Sequence, residues 1–265
     1  MQPATPAPPV DDPNAVYGYA VTSAAVIQTG TTGDSRIVGS LKYEQRVALY
    51  GEVRGDRLVV GDQDWPMAIQ DWSNTWYVVD GGYVYAAYIW IPQPGDVLPE
   101  QLPTGERHIE VDLAEQTAYL VVNDAVVYAA PVTSGKNGFR TPPGVWHIVQ
   151  QVTNETMTSA QAGINDPAER YDVHNVLYTQ YFDDQGDALH LNYWQPESTF
   201  GNSRTSHGCV GLFIQDAQYF WLFGEPGMEV DIYDSSVASQ PSMTLVQTVD
   251  AAMSTLRDAV GAPSG

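Results

Sequence analysis

The chain has 265 residues, with 32 Asp and Glu against 11 Lys and Arg and a formal net charge of −21. That length points to about two domains, and the charge argues against a nucleic-acid partner, which needs clustered Lys and Arg to neutralise phosphates. A solvated acidic surface is expected, one that repels anionic polymers unless a local patch reverses the sign. One cysteine rules out an internal disulfide framework, and no run approaches the roughly 18 apolar residues of a membrane span.

Residues 1–14 begin Met1-Gln2-Pro3-Ala4-Thr5-Pro6-Ala7-Pro8-Pro9. They lack the basic and apolar regions of a signal peptide and read as a stiff Pro-rich spacer, of the kind that follows an anchor or a cleaved signal lying outside this chain. Residues 15–91 are strand-like, with short runs rich in Val, Ile, Tyr and Trp punctuated by Gly, Asp, Asn and Ser. Several such strands in so short a stretch predict a small barrel. The Gly39-Ser40-Leu41 step, the run Val47-Ala48-Leu49-Tyr50-Gly51-Glu52-Val53 and the closing Trp76-Tyr77-Val78…Gly82-Tyr83-Val84 resemble a bacterial SH3-like domain. That resemblance implies attachment to cell walls, with Trp65, Trp72, Trp76 and Trp90 either contacting ligand or filling the core.

Residues 92–105 hold four prolines and two glycines and mark a linker. In residues 106–233, the alternating stretches His108–Leu113 and Gln116–Val122, the turn Asn123-Asp124 and the run Val126–Ala130 predict consecutive antiparallel hairpins. Thr133–Gly144 is a loop by composition, Trp146–Gln150 resumes the sheet, and Thr153–Asp172, long and aperiodic, is expected to be a lid. Val173–Phe182 and Ala188–Tyr193 read as buried strands, Ile214–Phe223 as a helix and Glu229–Tyr233 as a closing strand. Residues 234–265 form a tail with one helical pattern at Leu245, Val249, Met253 and Leu256.

Chemistry concentrates around Thr205-Ser206-His207-Gly208-Cys209-Val210, which contains the single cysteine; His190 lies nineteen positions upstream. A thiol is a strong nucleophile only as thiolate, so a cysteine that meets a histidine is a candidate for covalent catalysis, and otherwise a small buried hydrophobe. His190 can take the thiol proton, or hold a thiolate–imidazolium pair, and return a proton to a leaving amine.

Leu189-His190-Leu191-Asn192-Tyr193-Trp194…Ser206-His207-Gly208-Cys209, together with Thr133-Ser134-Gly135-Lys136…Thr141-Pro142-Pro143-Gly144, resembles the catalytic domain of the L,D-transpeptidases, the YkuD type. The resemblance implies a mainly β protein, an SH3-like small barrel followed by a β-rich catalytic domain with few helices. It also implies a secreted cell-wall enzyme without metal or organic cofactor, acting on peptidoglycan stem peptides and open to acylation by carbapenem-type β-lactams. Cys209 would be the nucleophile and His190 the base, oriented by the backbone carbonyl of Leu191. Backbone N–H groups of Gly208 and Cys209 would form the oxyanion hole.

Ser206 and His207 would border the substrate, with His207 either walling the donor site or fixing its loop. Tyr193 and Arg204 could touch substrate polar groups; for Arg204, a surface ion pair is the other reading. Gly211 stands where the family usually has Asn or Arg, and the interval from His190 to Cys209 is long for the family. Cross-linking, L,D-carboxypeptidase and protein-anchoring activities share the same acyl-enzyme. A non-catalytic wall-binding protein is the competing class, and the spacing of His108, His147, His174, His190 and His207 fits no zinc-peptidase motif.

Overall fold

Alternation of large apolar and polar residues builds strands throughout the protein, and the computed structural model, which describes residues 16–59 and 70–237, is mainly β with one α-helix among those residues. The spacer 1–14, Trp65 and the helical pattern of the tail lie outside the described residues. Contacts divide the chain into two units, one taking in residues 16–59 and 71–93, the other residue 70 and residues 94–237.

The first unit holds β1 (Val16–Ala20), β2 (Val26–Gln28), β3 (Ile37–Ser40), β4 (Arg46–Leu49), β5 (Gly51–Arg54), β6 (Thr75–Val79), β7 (Gly82–Tyr85) and β8 (Ile89–Trp90). They form a three-stranded sheet β4-β1-β8 and a five-stranded sheet β3-β2-β7-β6-β5. Inward positions of both, with Leu41 just after β3, supply one core that includes Ala20, Leu49, Val79, Val84 and Ile89. Trp76 and Trp90 belong to the interior: both are buried, Trp76 donates Nε1–H to Asp56 O at 3.0 Å, and Trp90 packs on Tyr19. A ligand role for these two is thereby overturned.

The second unit holds β9 (Arg107–Asp112), β10 (Thr117–Val122), β11 (Ala125–Thr133), β12 (Gly144–His147), β13 (Gln150–Thr158), β14 (Asp172–Tyr181), β15 (Ala188–Leu191), β16 (Val210–Leu212), β17 (Glu229–Tyr233) and helix α1 (Ile214–Phe223). Its nine-stranded sheet runs β12-β17-β9-β10-β11-β16-β15-β14-β13. The β10–β11 turn is Asn123-Asp124, with φ of 50° and 61°. Asn and Asp tolerate this left-handed pair, whose twist matches that of the flanking strands.

Eight of the ten residues of α1 are buried, and the helix packs on β14 and β15. A helix apolar nearly all round needs such cover. It follows β16 in the chain and backs β15, the strand that carries His190.

Thr153–Asp172 differs from the sequence expectation. Its first part is the end of β13, paired with β14 from Gln150↔Tyr181 to Thr158↔Asp172, so the loop shrinks to residues 159–171. β13 is half-buried almost everywhere along its length. With neither face clearly inside, there is no period-two contrast to read.

Candidate active site

His190 and Cys209 come to one cleft because β15 and β16 pair in parallel, with Leu189 opposite Val210 and His190 opposite Gly211. Side chains alternate faces along a strand, so Cys209, two residues before Gly211, projects to the same side as His190. Both line a cavity of about 810 Å³, with Lys136, Phe139, Glu169, Tyr171, Asp187, Asn192 and Trp194 among the other lining residues.

The imidazole of His190 is buried, and Leu191 O lies 2.9 Å from Nδ1. A carbonyl can only accept, so Nδ1 carries the proton and Nε2 is left as an acceptor. Trp194 stacks on the ring, with centroids 5.6 Å apart and planes 22° apart. Burial pushes the His190 pKa down to about 4, partly opposed by the Leu191 hydrogen bond.

Burial also pushes the Cys209 thiol up to about 12, with Asp187 adding to the shift. Its Sγ contacts Gly186 O at 3.8 Å. Both shifts favour the neutral imidazole and the neutral thiol. The alternative of a standing thiolate–imidazolium pair is not what this environment favours.

The two motifs are joined by buried polar contacts. Thr141 Oγ1 accepts from Gly135 N at 2.9 Å and donates to Gly208 O at 2.6 Å. Thr133 Oγ1 donates to Ser203 O at 2.7 Å, and Lys136 N donates to Ser206 O at 3.0 Å. Gln116 completes the tie, accepting from Ser134 N at 3.0 Å and donating to Ser134 Oγ at 2.7 Å.

Gly208 is needed as glycine twice over. Its φ is +132°, and an added Cβ would fall 2.0 Å from Asp187 Oδ1. The Asp187 carboxyl packed there has its pKa raised to about 7, by burial first and then by Asp183. Asp183 Oδ1 is occupied by the N–H groups of Gln185, Gly186 and Asp187 at 2.9–3.0 Å.

Several expected site residues are placed differently from their assigned roles. The Gly208 N–H donates to Ser206 Oγ at 3.2 Å, while Ser206 Oγ–H donates to Cys209 O at 2.5 Å. Ser206 therefore braces the turn while also lining the cleft, and the Gly208 N–H is engaged with it. Arg204 donates to Leu113 O and is absent from the cleft wall, and Tyr193 is buried with its hydroxyl on His174 O. The substrate contacts expected of these two give way to internal bonds, because each side chain found a backbone carbonyl to satisfy. His207 does reach the cleft, between the rings of Phe139 and Tyr171.

Gly211 has a packing reason. A Cβ there would meet Asn192 Nδ2 at 2.8 Å and Thr133 Cγ2 at 2.9 Å, so Asn192 fills the space a side chain would need. Sequence reasoning missed Asn192, Trp194, Asp187 and Glu169 as lining residues. It also missed Gln70, whose Nε2 donates to Asn192 O at 3.1 Å and Gln195 O at 2.7 Å within the second unit. Nothing in the local pattern around Gln70 signals these bonds. Among the described residues, no group of three His, Cys, Asp or Glu is placed to hold a metal ion.

Among solved structures, the chain is similar to a cysteine-to-serine variant of an Enterococcus faecium L,D-transpeptidase (24% identity over 48% of this chain and 50% of that one, TM-score 0.42). It is also similar to an L,D-transpeptidase from Mycobacterium smegmatis (22%, 69% and 81%, 0.46). A third is L,D-transpeptidase 3 from Mycobacterium tuberculosis in complex with a faropenem-derived adduct (15%, 81% and 99%, 0.45). The chain spans about half the length of the first of these. No curated protein matches. Residues 106–232, which take in both the Lys136 loop and the Cys209 loop, match the family model of YkuD, the L,D-transpeptidase catalytic domain.

Proposed function

We propose that the protein is a peptidoglycan L,D-transpeptidase that cross-links stem peptides through a Cys209 thioester. The observation that carries this is His190 held by Leu191 O, its Nε2 left as acceptor, on the strand beside Cys209 in one cleft. Because thiol and imidazole start neutral, the proton moves to Nε2 as sulfur attacks the donor carbonyl, and the base works during the attack. The tetrahedral intermediate collapses to a thioester, the C–N bond to the terminal D-alanine breaks, and the imidazolium returns the proton to that amine. An amine of a second stem then attacks the thioester and restores the thiol.

We assign the oxyanion contact to the Cys209 N–H, since the Gly208 N–H is held by Ser206. Residues 15–91, read as an SH3-like module, would hold the enzyme on the wall and raise the local concentration of stems. On this reading the protein acts outside the cytoplasm, where its peptidoglycan substrate lies.

The test is incubation with defined tetrapeptide stems, with and without an amine acceptor, read by mass spectrometry. An acyl adduct on Cys209 with loss of D-alanine, converted to a cross-linked dimer by the acceptor, is expected. Hydrolysis alone in the presence of acceptor would make the protein a carboxypeptidase, and no adduct with any stem would overturn the reading.

A further inference from the structure

One oxygen of Glu169, Oε2, accepts both from Lys136 Nζ and from His207 Nε2, the latter at 2.8 Å. An ammonium and an imidazole converging on one carboxylate oxygen form a strong, charge-assisted site. The contacts hold the Glu169 carboxyl below the usual carboxylate range, Lys136 contributing most.

The donors and the acceptor differ in how they are held. Lys136 follows Gly135, which is tied to Thr141, and its own N–H is bonded to Ser206 O. Its ammonium also lies 5.6 Å from the centre of the Phe139 ring, and His207 is flanked by Phe139 and Tyr171. Glu169 ends a short turn, Pro167–Glu169, in the 159–171 loop, with none of the turn's residues buried. The donors belong to the fixed wall; the carboxylate arrives on the loop.

The cleft is also less acidic than the chain. Lys136, Arg140 and Arg170 line it, three of only 11 basic residues, and three acids, Asp166, Glu169 and Asp187, balance them, whereas the whole chain carries 32 acids. A cleft for a neutral ligand needs no such concentration of cations in a chain of net charge −21.

We propose that Lys136 and His207 form a subsite for a carboxylate of the donor peptide, and that Glu169 fills it as an internal stand-in which the substrate displaces. This rests on the transpeptidase reading and adds what the donor must carry: a free carboxylate, either the terminal one of the leaving residue or the side-chain one of the diamino acid. Displacement exchanges one carboxylate for another at the same two donors, so binding gains little from the contact itself. The exchange sets selectivity: a donor lacking the carboxylate must leave Glu169 in place or leave Lys136 unpaired.

The test compares three donor stems on the full chain: the free acid, the C-terminal amide, and the stem amidated at the diamino-acid side chain. Lys136→Met is expected to lose about threefold to tenfold in kcat/KM, mostly in KM, on donors that keep the recognised carboxylate, and to lose little on the donor amidated there. Whichever amide abolishes the Lys136 effect identifies the carboxylate. Lys136→Arg should restore recognition, and Glu169→Gln should lower KM for the free acid severalfold. An equal loss for Lys136→Met on all three donors, or an unchanged KM in Glu169→Gln, overturns the subsite.

A binding measurement separates this from failure of the functional reading. Acetate, but not acetamide, should shift the His207 ring resonances, and the shift should vanish in Lys136→Met. If no stem acylates Cys209 and this shift is still seen, the subsite stands without the transpeptidase assignment; equal shifts for acid and amide overturn it.

Discussion

The two sides of the cleft are built in different ways. The side formed by residues 133–141 and 203–210 is tied by hydroxyls and amides that bridge the two loops, with Thr133, Ser134 and Thr141 all buried. The side formed by residues 159–171 is held mostly by bonds within its own hairpin, such as Ser159 N to Tyr171 O at 3.0 Å and Ile164 N to Ser159 O at 2.8 Å, and reaches across the cleft through Glu169. A reaction that must place a nucleophile accurately and still admit a polymer needs both: a fixed wall for the chemistry and a low-stability one for access.

The largest effect should come from the strand that pairs beside the Cys209 loop of the fixed side. His190→Ala removes the acceptor for the thiol proton, and with burial already holding Cys209 up to about 12, little thiolate forms without it. Acylation of Cys209 by a carbapenem should fall by about a thousandfold, within the usual range for loss of a general base. A variant that acylates at the wild-type rate would show that something else activates the thiol.

Thr141→Val comes next. It keeps the shape and removes a hydroxyl that serves Gly135 N and Gly208 O at once. Two buried backbone groups lose their partner, at about 1–3 kcal/mol each, so thermal unfolding should show a loss of about 2–6 kcal/mol together with slower acylation. If stability is unchanged, the two motifs are not coupled through this hydroxyl. Gly211→Asn should cost about 1–3 kcal/mol by overpacking against Asn192 and Thr133, and pairing it with Asn192→Gly should recover part of that loss.

How much of this was legible in the sequence follows the range of the interactions. Hairpins β9–β11 and helix α1 were readable because alternation, a left-handed Asn-Asp turn and an apolar run are local signals. The pairing of the Lys136 and Cys209 loops was readable only through resemblance, since each loop supplies half of a contact set that spans some seventy positions. Gln70 to Asn192 O, 122 positions apart, and Arg204 to Leu113 O, 91 apart, leave no periodic trace. For the same reason Tyr193 and Arg204 were read as facing substrate: a polar side chain beside a reactive motif looks the same whether it turns toward the cleft or toward a carbonyl.

Asp187, whose carboxylate packs against Gly208 of the fixed side, allows a test by pH. Its carboxyl is raised from 3.8 to about 7, so above about pH 7 the native and unfolded states are both ionised and the native state bears the burial cost. As pH falls from about 7 toward 3.8, the native carboxyl protonates first and stability rises; below that range nothing more is gained. Asp187→Asn should flatten this dependence and make the protein more stable on the alkaline side. Removing the charge also removes one cause of the raised Cys209 pKa, so alkylation should quicken by about threefold to tenfold. An unchanged profile, followed by thermal melts across pH, would place the Asp187 charge in contact with solvent.

The smallest effect is expected on the loop side. Asp166 Oδ1 accepts from Ala168 N at 2.9 Å and caps the turn that carries Glu169. Asp166→Ala removes one exposed cap, and because the turn buries none of its residues the cost should stay below about 1 kcal/mol, the usual value for a lost helix cap. Freeing the turn also weakens the hold of Glu169 on Lys136 and His207, so acylation by a donor peptide should be equal or slightly faster. The contrast with Thr141→Val is the decisive reading. If both variants lower the melting temperature by the same amount, the 159–171 loop is as integral to the fold as the opposite wall, and a cleft with one fixed and one yielding side is the wrong description.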